Sequence, residues 1–313
     1  MKYLTTTALA CALMAGSASA ENIGISMAAF DDTFLTELRN GIQDHARGMS
    51  AVTIQIEDAQ NDVGKQLNQI QNFVASGVDA IIVNPVDTDA TLAMTAAAEG
   101  AGIPLVYVNR QPVNVDKLPQ GQAFVASREA DAGKLQAEEA CRQVKASGAT
   151  EASVVILMGE LSNQGARMRT QAVEDVLATP ECNLMKLAEK QTANWQRTQG
   201  ADMVTNWLTA GVKMDVILSN NDEMAIGAVQ ALKAARVDLD KVIVGGIDAT
   251  PDALAVLGKG GLDLTVFQDA KGQGASALDT ALKLARHEPT EQTVYIPFEL
   301  VTPANLAEFI TKN

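Results

Sequence analysis

Hydrophobic and polar positions along this chain follow two alternating patterns. Short β-rich runs, several of them near-continuously apolar, recur at 22–27, 52–57, 80–84, 104–109 and 122–126. A second series occupies 153–158, 184–189, 215–219, 242–246 and 264–268. Val154-Val155-Ile156-Leu157 and Val216-Ile217-Leu218 have no polar face, which is the pattern of parallel strands covered on both sides. Between the runs lie stretches with helical periodicity, among them 34–47, 64–76, 128–144, 164–177, 196–208, 223–235 and 272–285. Each is long enough to cover a sheet. Alternation of strand and helix predicts right-handed crossovers and doubly wound parallel sheets, an α/β fold class. The existence of two series predicts two similar lobes rather than one barrel. Turn signals such as Ser76-Gly77, Ser147-Gly148 and Ala210-Gly211 are brief, and no low-complexity tract separates the series. The lobes are therefore expected to be joined by short, direct crossings.

The length of 313 residues exceeds one ordinary core and agrees with two domains. Hydrophobic residues at 47% and charged residues at 20% exclude a disordered chain. The first twenty residues follow a different logic. Lys2 supplies a positive start, Leu4 to Ala15 is apolar or small, and Ala18-Ser19-Ala20 fits a small-x-small cleavage site. This predicts a signal peptide over 1–20 and a mature chain from Glu21. The apolar stretch is too short to span a bilayer. The two competing readings are a buried N-terminal helix and a lipoprotein modified at Cys11, for which Ala8-Leu9-Ala10 is a poor match.

The chain carries 24 basic and 38 acidic residues, a net charge of −14; without Lys2 the count is 23 − 38 = −15. Such a surface repels phosphate backbones and disfavours nucleic-acid binding. The mature chain keeps two cysteines, Cys141 and Cys182. In an oxidising compartment they are free to pair, yet two separate buried thiols satisfy the sequence equally well.

In open α/β sheets ligands bind beyond the carboxyl ends of the strands. Residues just past the predicted strands form a set: Asp31, Asp32 and Phe34; Asn84; Asn109 and Arg110; Glu160, Arg167 and Arg169; Trp195; Asn220, Asn221 and Asp222; Asp248; Gln268 and Asp269. Carboxylates accept hydrogen bonds from hydroxyls, guanidinium groups donate through a planar fork, and amides do both. Aromatic faces match the C–H faces of a sugar ring. This chemistry replaces the hydration of a polyol. Each residue also has a plainer reading. Asp32 fits a helix cap, and Asp222 fits a cap better than a ligand contact. Asn84 before Pro85 fits a turn, Phe34 and Trp195 fit a core, and Arg169 within a helix fits a solvated side chain. Recurrence at equivalent strand ends favours the set over its members. His45 and His287 fall on helical stretches, away from strand ends. No nucleophile elbow, phosphate-binding loop or metal-ligand cluster is present in the sequence. The many carboxylates leave hydrolysis open but give it no positive support, and no cofactor or metal is expected.

These residues resemble a known family. Asp31-Asp32-Thr33-Phe34, Asp58-Ala59-Gln60-Asn61-Asp62, Asn84-Pro85-Val86-Asp87, Val108-Asn109-Arg110, the run from Asn220 to Ala228, and Gly246-Ile247-Asp248-Ala249-Thr250-Pro251 are similar to segments of periplasmic sugar-binding proteins of ABC transporters, in the ribose, galactose and inositol cluster. The likeness runs from Asn22 to about Phe309. It implies a periplasmic, non-catalytic receptor with two lobes, 21–126 plus 268–296 and 127–267 plus 297–313, joined by three crossings. It implies ligand contacts from Asp32, Phe34, Asn109, Arg110, Arg169, Trp195, Asn221, Asp248 and Gln268, with Phe34 and Trp195 sandwiching the ring. Trp195 and Asp32 look like galactose-binding members, whereas Arg110 and Gln268 look like ribose-binding members. Asn163 and Gly165 stand where galactose-type proteins have His and Asp, which argues against galactose or glucose. The calcium loop of that type is replaced by a turn at 147–151. Segments at 157–161, 191–200 and 266–268 look most like members binding myo-inositol or related cyclitols such as rhizopine. Implied partners are the small polyol, the transporter's permease and, compatibly, a chemoreceptor, with the receptor acting as a monomer. A ligand-responsive transcription regulator of similar core would need a basic helix-turn-helix N-terminus. A secreted carbohydrate-active enzyme would need an acid and a base poised over one bond.

Overall fold

The computed structural model describes residues 20–312. The predicted signal peptide lies outside them except for Ala20. The chain begins β1 (Glu21–Met27), α1 (Thr33–Arg47), β2 (Val52–Asp58), α2 (Val63–Ser76) and β3 (Ala80–Val83). It continues through α3 (Thr91–Ala101), β4 (Leu105–Val108), β5 (Gln122–Ala126), α4 (Glu129–Ala146), β6 (Ala152–Met158) and α5 (Gln164–Leu177). Then come β7 (Met185–Thr192), α6 (Arg197–Thr209), β8 (Val216–Ser219), α7 (Asp222–Ala234), β9 (Ile243–Gly245) and α8 (Pro251–Leu257). The last elements are β10 (Thr265–Phe267), α9 (Ala270–Ala285), β11 (Thr293–Tyr295), β12 (Glu299–Val301) and α10 (Leu306–Phe309).

Six strands form one parallel sheet in the order β11-β5-β4-β3-β1-β2, and four form a second in the order β7-β6-β8-β9. The central strands β3 and β4 are buried at every residue, as expected where helices cover both faces. Ile23, Ile25 and Val106 pack toward α1 and α9 on one side, and Ile81, Val83 and Tyr107 pack toward α2 and α3 on the other. The edge strand β7, with Glu189, Lys190 and Gln191, is mostly exposed or half-buried. Charged edges of this kind discourage sheet-to-sheet association.

Two features depart from the sequence pattern. The run at 264–268 predicts a fifth strand of the second sheet. In the structure β10 touches that sheet only through single bridges, Gly245–Leu264 and Asp248–Phe267, and pairs instead antiparallel with β12. The cause is that β12 supplies the partner edge, and its three residues carry too little periodicity to be read. β11, also three residues and partly exposed, joins the first sheet beside β5 for the same reason unannounced.

Helix starts converge on the strand tips. Asp32 accepts from the Leu35 N–H and caps α1, Asn163 caps α5, Asn221 caps α7, Thr250 caps α8 and Asp269 caps α9. Each satisfies a backbone donor that the first turn leaves over. Helices α4 and α5 approach closely because position 133 is glycine: a Cβ there would lie 2.2 Å from the Arg169 carbonyl oxygen.

Cys141 on α4 and Cys182 after α5 are bonded, with Cα atoms 5.7 Å apart. The bridge closes a loop of 41 residues in sequence separation. Constraint of the unfolded chain by such a loop contributes about 3–4 kcal/mol in the chain-entropy treatment. Replacing both cysteines by serine is expected to lower the urea-unfolding free energy by that amount. A loss below about 1 kcal/mol would contradict this entropic account.

Candidate functional site

The tips of both sheets face one cavity of about 360 Å³. Asp32, Phe34 and Leu35 reach it from the β1–α1 connection, and Asn109 and Arg110 from the end of β4. Glu129 comes from the first turn of α4, and Asn163, Gly165 and Arg169 from the start of α5. Trp195, Asn221, Asp248 and Gln268 follow β7, β8, β9 and β10 respectively. All nine residues expected at a ligand site therefore line the same space.

Arg169 organises the cavity floor. Only 5% of the residue is exposed, so the plainer reading of a solvated helix side chain does not hold. Its Nε donates to Glu129 Oε2 at 2.5 Å, Nη1 donates to the Asn220 carbonyl at 2.6 Å, and Nη2 donates to Gln268 Oε1 at 3.0 Å. Asp248 Oδ1 lies 3.8 Å from Nη1. Burial alone would loosen the guanidinium proton; the Glu129 and Asp248 carboxylates outweigh it and raise Arg169 above its ordinary value. The Gly133 approach brings α4 against α5, and Glu129, one turn earlier on α4, thereby reaches Arg169. Sequence reading missed Glu129. An acidic residue in a helix's first turn ordinarily complements the helix dipole, so nothing local marked it. Asn163 and Gly165, which depart from the galactose type in sequence, both line the cavity.

Asp248 sits in a strained loop. Its φ is 119° and that of Ala249 is 55°, a region that non-glycine residues occupy at a cost. Asp222 holds this loop. Its Oδ2 accepts from the Thr250 N–H at 2.9 Å and its Oδ1 from the Thr265 hydroxyl at 2.7 Å. Asn221 caps α7, so Asp222 is neither the cap nor part of the cavity wall. Burial pushes Asp248 well above the usual carboxylate range, against the pull of Arg169. Burial likewise pushes Asp222 up to about 7. A raised carboxyl keeps its proton in the folded state after the unfolded chain has released it. Stability therefore falls as pH rises from about 4 to about 7. Asp222→Asn is expected to reduce that slope in denaturation measured from pH 4 to pH 8. An unchanged slope would assign the titration to another group.

Opposite Arg169, Asp32 combines two roles, capping α1 and lining the cavity. Burial raises its pKa despite the Leu35 N–H bond and nearby Arg110. Burial also lowers Arg110, whose Nη1 donates to the carbonyls of Pro85 and Val86. Asn84 is wholly buried and stitches three strand ends: it accepts from the Ala28 N–H and donates to the Val108 carbonyl and to Asn109 Oδ1. Asn221 accepts from Met224 N–H and donates to the Trp195 carbonyl, which anchors the indole's backbone. Trp195 has a φ of 65°, and its ring occupies the place of a Cβ at Gly159, 2.1 Å from that position. Glycine at 159 is thus required for the ring to lie where it does. Trp195 Nε1 and Gln268 Nε2 are buried donors without a protein partner. Unpaired buried donors are costly and call for an acceptor.

A second opening of about 790 Å³ adjoins the cavity and shares Asp32, Arg110 and Trp195 with it. Asp31 and Thr33 rim one side, and Glu160 and the segment from Asn194 to Thr198 rim the other. Burial raises the Glu160 carboxyl. Among the described residues, no cluster of three or more His, Cys, Asp or Glu is placed to hold a metal ion, and no helix is long and apolar enough to cross a membrane.

Comparison with known proteins gives a consistent picture. A family model described as a periplasmic binding protein domain matches residues 23–289. A putative rhizopine-binding protein of Rhizobium meliloti is 59% identical over 313 residues, all of both chains. The crystal structure of an ABC transporter solute-binding protein from Bacillus halodurans with bound myo-inositol is 39% identical, with a TM-score of 0.88 over 95% of this chain and 100% of that one. A Caulobacter myo-inositol-binding protein bound to myo-inositol is 28% identical, with a TM-score of 0.85 over 96% of this chain and 100% of that one.

Proposed function

This chain belongs to the periplasmic binding protein family, and on that premise we propose that it captures a cyclitol, myo-inositol or a close relative, between two hinged lobes. It is a ligand carrier of the sugar-binding, ABC transporter class and not an enzyme. The lobes are 21–126 plus 268–296 and 127–267 plus 297–313. The closed form hands its cargo to the membrane permease, works as a monomer and also suits recognition by a chemoreceptor. Export through the signal peptide at 1–20 delivers it to the periplasm.

The observation that carries this reading is the composition of the cavity wall. Carboxylates (Asp32, Asp248), guanidinium groups (Arg110, Arg169) and amides (Asn109, Asn221, Gln268) from both sheets line one space. Gln268 Nε2 and Trp195 Nε1 still lack acceptors there. A ring bearing hydroxyls on every side supplies both acceptors and donors. Phe34 and Trp195 cover its C–H faces. Micromolar affinity corresponds to about 8 kcal/mol. Hydrogen bonds at about 0.5–1.5 kcal/mol each, more where charged groups take part, reach that total with ring stacking. Hinge closure follows because contacts from both lobes favour the closed state over the open one.

Calorimetry of the chain from Glu21 onward against myo-inositol, other inositols, ribose, galactose and glucose tests the proposal. A cyclitol is expected to bind one to one at micromolar affinity or tighter, with galactose and glucose far weaker. Absence of heat with every polyol would refute it.

A further inference from the structure

The cleft is fastened along one edge by side chains that do not line the cavity. Thr88 opens the 3-10 turn Thr88–Ala90 after β3 of the six-stranded sheet. The residue is only 1% exposed. Its backbone N–H donates to the Ser162 carbonyl at 3.1 Å, and its hydroxyl donates to the same carbonyl at 3.0 Å. The hydroxyl oxygen also accepts from the Gln164 N–H at 3.1 Å. Next to it, Asp89 Oδ1 faces Arg167 Nη2 at 3.3 Å. Ser162, Gln164 and Arg167 lie between β6 of the four-stranded sheet and the second turn of α5. Asn163 and Gly165 alternate with them in sequence and line the cavity. Across the wider opening, among the described residues, no hydrogen bond joins Asp31–Thr33 to Asn194–Thr198.

We propose that Thr88 is a latch: it sets the affinity for ligand by holding the two sheets together, without touching the ligand. The inference rests on the hinge-closure reading given above. A hydrogen bond within one lobe is present in both the open and the closed state and drops out of the closure equilibrium. A bond between lobes exists only in the closed state, so its whole net contribution favours closure. Ligand binding draws on that same equilibrium, and a more stable closed state lowers the apparent dissociation constant. Thr88 is suited to this task because one buried hydroxyl both donates and accepts across the gap, a pairing that water resumes on opening. The Asp89–Arg167 pair is exposed and screened, and exposed pairs contribute little. These bonds must break before the cleft opens, so release is the step that the latch slows.

Thr88→Val keeps the side chain's shape and removes the hydroxyl. With myo-inositol as probe, its dissociation constant is expected to rise about tenfold, the loss of one to two neutral hydrogen bonds. Stopped-flow fluorescence of Trp195 is expected to place that rise in the dissociation rate, with association unchanged. Thr88→Ser keeps the hydroxyl and should restore the wild-type rate. The melting temperature of ligand-free Thr88→Val should match wild type. A Thr88→Val protein with wild-type dissociation, or one slowed in association instead, overturns the latch. A second arm needs no ligand. Thr88→Cys combined with Ser162→Cys should be cross-linked by a short bifunctional thiol reagent, which traps even a minor closed population; failure to cross-link overturns the latch. A wild-type protein deaf to every polyol, but with efficient cross-linking, would sink the ligand reading and leave the latch standing.

Discussion

Replacing Arg169 by methionine is expected to abolish polyol binding and to lower the unfolding free energy by about 3–5 kcal/mol. The change leaves Glu129 without its partner at 2.5 Å and Asp248 without its nearest cation, with their side chains only 9% and 5% exposed. Breaking a buried pair by removing one member costs more than the pair itself contributes, because the surviving charge has neither water nor a counter-ion. Adding Glu129→Gln should recover part of the stability and none of the binding, since the carboxamide no longer needs the cation but the fork that grips hydroxyls is gone. Urea unfolding and calorimetry on the same samples check both halves. A single variant that keeps its stability to within about 1 kcal/mol would show the pair to be solvated rather than buried.

The second large effect separates affinity from stability. Asp248→Asn is expected to weaken binding of the favoured polyol by about 100-fold, because the amide turns one acceptor oxygen of the carboxyl into a donor and leaves the facing hydroxyl unpaired. The melting temperature should hold or rise. Asparagine keeps the volume and tolerates the unusual backbone of the loop, and it removes a carboxylate that burial already disfavours in its charged form. Equal affinity in wild type and variant would remove Asp248 from the ligand set. A lower melting temperature would mean that the carboxylate braces the loop, a task here assigned to Asp222.

How far the sequence could be read depends on which interactions are local. The two parallel sheets were legible because strands such as β3, β4 and β8 are buried on both faces and must be continuously apolar. The convergence of Asp32, Asn109, Trp195 and Asp248 was legible because strand tips of doubly wound sheets share one end. Helix capping and cavity lining were offered as competing roles for Asp32, and the structure assigns both. What stayed hidden depends on packing between segments remote in sequence. Arg169 is buried because α4 approaches at Gly133 and presents Glu129, 40 residues away. The contact of Thr88 with Ser162 spans 74 residues and joins different sheets. The short β11 and β12 hold their places by pairing with β5 and β10, not by any periodicity of their own.

The central claim is that one cavity, walled by tips of two sheets, receives the polyol. A crystal structure grown with the tightest-binding polyol of the calorimetric panel tests it most directly. The account predicts the ring between Phe34 and Trp195, with hydroxyls on Asp248, Arg169 and the Nε2 of Gln268. Density for the ligand anywhere else on the molecule, or a ring held by one sheet's residues alone, would contradict it.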